Sequence, residues 1–96
     1  MKRFFVLIAS ALLITIPASV VSADYVAGVS SYKKRHYREC IRLLQAYTAK
    51  TPDPRAYYLM GYASYKLKNF SEARDYFEKA YLVDPDFTPA SLELKR

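Results

Sequence analysis

Apolar positions recur along this chain at helical spacing. From Phe70 onward, Phe70, Ala73, Phe77, Ala80 and Tyr81 follow one another at three- and four-residue steps, while Glu72, Arg74, Asp75, Glu78 and Lys79 supply most of the opposite side. That stripe predicts an amphipathic helix. Asn69, with Glu72 three residues on, has the layout of a capping box, and Pro85 stops the run. The stretch before it, RAYYLMGYASYK from Arg55 to Lys66, is too long for a strand and carries apolar residues all round its axis. It predicts a helix packed on several sides, entered through Asp53-Pro54, a cap followed by proline at the first helical position.

The same pattern occurs once more upstream. Gly28 falls on Gly61, Tyr32-Lys33 on Tyr65-Lys66, Tyr37 on Phe70, Glu39 on Glu72, Cys40 on Ala73 and Pro52 on Pro85, always 33 residues apart. A fixed period of this size marks stacked supersecondary units, none of which buries its apolar face alone. The first unit therefore predicts a helix from about Tyr25 to Lys34 and another from about Tyr37 to Ala49. Thr88-Pro89 starts a fifth, short helix through Leu94, a cap with a charged end at Glu93, Lys95 and Arg96.

Residues 1–23 read differently. Lys2 and Arg3 precede an apolar run from Phe4 to Ile16, then Pro17 and the small-residue sequence Val21-Ser22-Ala23. This is the layout of a signal peptide helix cut after Ala23. Extended to Val21 the run approaches the about 20 residues of a membrane span, so an uncleaved anchor is the alternative. Export to a bacterial periplasm or secretion is the expectation, with an inner-membrane anchor as its rival, and a membrane enters only if the segment is kept. Lys33, Lys34 and Arg35 oppose translocation, but the stretch directly after the cut is not basic.

The net charge of +6 becomes +4 once Lys2 and Arg3 are set aside, and the excess is local: six basic against three acidic residues from Asp24 to Asp53, five against five from Pro54 to Phe87. The run from Tyr32 to Arg38 mixes bases with aromatics, yet it falls at one helix-helix turn and no nucleic-acid motif accompanies it, so no nucleic-acid partner is expected. Its field would attract an acidic partner or anionic lipid headgroups.

Chemistry is sparse. His36 is the sole histidine and Cys40 the sole cysteine, so a histidine-based metal site, a Ser-His-Asp constellation and an internal disulfide all lack members. No catalytic residue, metal or cofactor is assigned. Cys40 falls where the second unit has alanine, which makes it a small buried hydrophobe, with a reactive or dimer-forming thiol as the alternative.

Tyr57-x-x-Met60-Gly61, then Ala73-x-x-x-Phe77, Ala80 and Asp84-Pro85, resemble the tetratricopeptide repeat, whose signature runs Trp-x-x-Leu-Gly-x-x-Tyr, Ala-x-x-x-Phe and Pro. The resemblance covers residues 54–86. Upstream, Gly28, Tyr32 and Pro52 fit, but Cys40, Leu44 and Tyr47 replace the alanine, phenylalanine and second alanine. It implies an all-α fold: two antiparallel helix-turn-helix repeats, 24–53 and 54–87, stacked as a short right-handed solenoid, with a capping helix over 88–96. Gly61 and Ala73 are expected at a close crossing within the repeat and Ala80 where a next unit approaches. Gly28, Phe77, Pro52 and Pro85 complete the repeat positions. Tyr47 in an alanine place implies a looser or rotated contact between the units.

Family members line a concave face with the first helix of each pair. Carried over, that geometry implies a groove of Tyr25, Val29, Tyr32, Lys33, Arg55, Tyr58, Tyr62, Tyr65 and Lys66. Tyr58, Tyr62 and Tyr65, at four- and three-residue steps, share a stripe, and tyrosine gives large stiff contact area with a polar end. A non-catalytic module that holds a peptide segment of another protein is the expectation. Self-association is the alternative, since two repeats are fewer than the three a solenoid usually needs. The family's lysine- and asparagine-based grip on a C-terminal carboxylate does not carry over, because Tyr25, Val29, Tyr58 and Tyr62 occupy those places.

Overall fold

The computed structural model describes residues 22–92 and Leu94. The expected leader lies outside the described residues as far as Val21, as does the charged end at Glu93, Lys95 and Arg96. Four helices follow in order: α1 Ala23–Lys33, α2 Tyr37–Thr48, α3 Pro54–Lys66 and α4 Phe70–Val83. A single 3-10 turn at Pro89–Leu92 comes after them. The fold is all-helical, with no strand among the described residues. None of these helices is long and apolar enough to cross a membrane.

Each helix packs on its neighbour in sequence, and α3 also receives α1 and the 3-10 turn. That position explains why α3 is apolar all round: Ala56, Leu59, Met60, Gly61, Ala63 and Ser64 are all buried. Cys40 and Leu44 of α2 form the core with Ala56, Leu59, Met60 and Ala63. A hydrogen bond from Gln45 Nε2 to the Tyr76 hydroxyl, 2.9 Å, joins α2 to α4.

The 33-residue period is built into the geometry. A Cβ placed on Gly28 would lie 2.6 Å from Leu44 Cδ2, and one placed on Gly61 would overlap the ring of Phe77. Leu44 and Phe77 are themselves 33 apart, so each glycine lets the second helix of its pair bring one large side chain against the first helix's backbone. Ala73, expected at the same crossing, is buried, and so is Ala80.

The turns match as well. Arg35 and Lys68 both have φ 68. The amides of Arg35 and Lys68 donate to Tyr32 and Tyr65 carbonyls at 2.9 Å, and those of His36 and Asn69 to Ser31 and Ser64 carbonyls at 2.8 and 2.9 Å. This closure ties up the last carbonyls of α1 and α3 with a left-handed residue. It also corrects the expectation at Asn69. That residue stands at the N-cap of α4 but its side chain makes no capping bond. In a capping box Glu72 would accept from the Asn69 amide, and here that amide is already given to Ser64.

The capping helix is also shorter than expected. Pro89 brings no N–H donor, and the segment closes through Ser91, whose amide and hydroxyl both donate to the Thr88 carbonyl, at 3.0 and 2.8 Å. One 3-10 turn results, lying on α3.

Candidate protein-binding groove

α3 begins as the sequence implies. Asp53 caps it, Oδ1 accepting from the Arg55 amide at 2.9 Å, with Pro54 in the first turn. The same carboxylate takes the Arg55 guanidinium at 3.1 and 2.7 Å and the Tyr47 hydroxyl at 2.8 Å. Burial raises the Asp53 pKa, and these hydrogen bonds outweigh it, so the carboxyl ends below its ordinary value. The Arg55 guanidinium also lies 4.5 Å over the Tyr25 ring, which packs 5.3 Å from the Tyr47 ring. Tyr47, in its alanine place, thus ties α2 to α1 by ring contact and to the entry of α3 by its hydroxyl. Arg55 is committed to this cluster.

Farther along α3, Tyr58 and Tyr62 meet edge to face at 5.1 Å. Both lean on Phe77, at 4.6 and 5.7 Å, the ring that Gly61 admits. Phe87 and Tyr81 close on Tyr58 from the other side at 5.3 and 5.9 Å. Across to α1, Tyr62 reaches Tyr32 at 6.5 Å. Both Tyr58 and Tyr62 are half-buried rather than enclosed. Burial, reinforced by the neighbouring Tyr81 and Tyr62 hydroxyls, pushes the Tyr58 phenol up to about 12.

Tyr65 shares the helical stripe but not the ring cluster. It is 56% exposed and pairs edge to face with Phe70 at 5.2 Å, across the α3–α4 turn. Tyr32 and Tyr37 make the same pair at 5.5 Å, one period earlier. Phe70, expected on the buried stripe of α4, is for this reason 52% exposed: as the first residue of the helix it covers the turn, not the core.

The remaining groove residues lie on the same two helices. Val29 is half-buried against the core, while Lys33 and Lys66 are exposed at the last turns of α1 and α3. Between those ends is a cavity of about 210 Å³ lined by Tyr32, Lys33, Arg35, Tyr37, Lys66 and Leu94. A shallower, more apolar depression of about 360 Å³ runs along α1 past Tyr25, Val26, Val29, Ser30 and Lys33.

Asp53, Tyr47, Phe87, Arg35 and Leu94 belong to this face and were not foreseen in it. Only Asp53 had a local signal, its place before Pro54. The others join through contacts between units or through the returning C-terminal segment. Cys40 is fully buried, and burial pushes its thiol up to about 12. Its place is that of a small core residue, not a nucleophile. His36 stands exposed at the α1–α2 turn.

The family model described as Tetratricopeptide repeat matches residues 54–87. No curated protein and no solved structure matches the chain. The matched segment is α3, α4 and their turn, with Gly61 against Phe77 and Ala73 and Ala80 buried, so this chain carries a tetratricopeptide repeat.

Proposed function

Tetratricopeptide repeats mediate protein–protein interaction, and we propose that this chain is a non-catalytic binding module whose α1 and α3 hold a peptide segment of another protein. The observation that carries the reading is the ring ladder from Tyr32 through Tyr62 to Tyr58: its rings are stiffened by Phe77 and Phe87 yet only half-buried. Rigid, half-exposed tyrosines lose little entropy on contact and offer both apolar area and hydroxyls. Lys33 and Lys66 border the ladder with positive charge. The compartment that fits the leader-like residues 1–23 is a bacterial envelope, and the partner is then an envelope protein.

Photocrosslinking in the source cell tests this. A photoreactive side chain in place of Tyr65, beside the ladder, is expected to capture one discrete protein, and the same group in place of Glu78 on α4 is not. Equal capture from both positions would remove the groove. Sequencing the N-terminus of the purified protein tests export, with Asp24 as the expected first residue.

Self-association is a second reading, favoured by exposed apolar residues at opposite ends of the helix order: Val26 on α1, 54% exposed, and Leu82 on α4, 80% exposed. Light scattering over a dilution series separates the two. A folded monomer at every concentration supports the binding module alone.

A further inference from the structure

Three of the six residues around the 210 Å³ cavity are cations, Lys33, Arg35 and Lys66, and none is a carboxylate. Lys33 and Lys66 close α1 and α3, where a cation offsets the negative end of the helix dipole. That accounts for one lysine per helix. It does not account for Arg35, which the turn holds at φ 68 on the same cavity. Among the described residues the ion pairs run from Arg42 to Glu39 and from Arg55 to Asp53, and neither reaches these three. Like charges gathered around one concavity repel, and an anion placed among them turns that repulsion into attraction.

We propose that this cavity is a binding site for the carboxylate side chain of an aspartate or glutamate in a partner peptide, an inference that rests on the peptide-binding reading above and adds its charge requirement. The volume is below the roughly 300–1,000 Å³ of small-molecule sites and suits a single side chain. Tyr32 lines the cavity and also meets Tyr62, so a peptide anchored there by its carboxylate continues directly onto the tyrosine ladder. A concave site of this size, continuous with aromatic rings, fits a peptide side chain better than a flat array of lipid headgroups. The site lies at the α1–α2 turn and the ends of α1 and α3, and Tyr25, Val29 and Tyr58 are not among its lining residues.

The test uses a blocked Leu-Glu-Leu peptide and its Leu-Gln-Leu counterpart, titrated into the full chain and followed by amide chemical shifts. The glutamate peptide is expected to move the amides of Lys33, Arg35 and Lys66 and to bind about tenfold more tightly than the glutamine peptide. Lys33→Gln/Arg35→Gln/Lys66→Gln is expected to abolish the difference, and Lys79→Gln on α4 to leave it intact. Equal binding of both peptides, or an unchanged preference in the triple variant, overturns the carboxylate site while leaving the tyrosine face standing. Shifts at the cavity with none at Tyr58 or Tyr62 keep the carboxylate site and count against the tyrosine face. Co-sedimentation with phosphatidylglycerol vesicles that depends on the same three cations, without a preference for the glutamate peptide, reassigns the site to lipid phosphate and overturns the proposal.

Discussion

Replacing Gly61 by alanine should destabilise this protein, against the usual direction for a helix. In an exposed helix the change gains about 1 kcal/mol, because alanine loses less backbone entropy. Here the new Cβ would overlap the Phe77 ring. The ring has no easy retreat, since Tyr58 and Tyr62 face it at 4.6 and 5.7 Å. Overpacking of this kind costs about 1–3 kcal/mol, so the net loss is up to about 2 kcal/mol after the helical gain. For a domain of this size that lowers Tm by about 4–8 °C per kcal/mol. Thermal unfolding followed by helical circular dichroism reads it. In a Phe77→Val background the ring is gone, and Gly61→Ala should then stabilise by up to about 1 kcal/mol. The two backgrounds form a double-mutant cycle whose coupling isolates the contact. A Tm raised by Gly61→Ala in the parent chain would refute the close approach of α4 to α3.

Other expectations concern charge and turns. Because the folded Asp53 carboxyl lies below its ordinary value, its contribution is present above about pH 3.9 and is lost as pH falls through the folded value; Asp53→Asn should flatten the acid limb of a urea-midpoint profile, and an unchanged profile would show that the Arg55 and Tyr47 bonds do not stabilise the fold. The Tyr58 phenol works in the opposite direction, its stabilising effect being complete below about pH 10 and lost as pH rises through about 12; ultraviolet titration should show a late phenol that Tyr58→Phe removes. Lys68→Gly should stabilise by about 0.5–1 kcal/mol by relieving a left-handed residue at a helix end, and a lower Tm would contradict that backbone conformation.

Helix positions were legible because the second unit carries its own signals, three- and four-residue apolar steps in α4, Asp53-Pro54 before α3 and Pro85 beyond α4, and the 33-residue period extends them to α1 and α2. The resemblance to the tetratricopeptide repeat rests on Gly61, Ala73, Phe77 and Ala80, which are small or large for reasons of contact within one repeat. The turns were less legible. Arg35 and Lys68 adopt the conformation that glycine usually marks, so their composition hid them. Asn69 and Glu72 had the right spacing for a cap, but the competing bond to Ser64 depends on how the previous helix ends.

Within the candidate groove, the sequence placed side chains on helices but not rings against rings. Tyr58, Tyr62 and Tyr65 lie on one stripe by step, yet Tyr65 turns to Phe70 while the other two join Phe77. Arg55 looked available at the groove edge until Asp53, Tyr25 and Tyr47 were seen around it. Phe87 and Leu94 reach α3 and the cavity through the returning C-terminal segment, a path that no periodicity encodes.

The proposed function stands or falls with the tyrosine ladder on α1 and α3 as the surface that holds a partner. Once crosslinking identifies the captured segment, its synthetic peptide should be titrated calorimetrically against the parent chain, Tyr62→Ala and Glu78→Ala. Tyr62→Ala is expected to weaken binding by about tenfold or more, as loss of a central aromatic anchor does, and Glu78→Ala to leave the affinity unchanged. Equal affinity for all three, with Tyr62→Ala still folded, would contradict it.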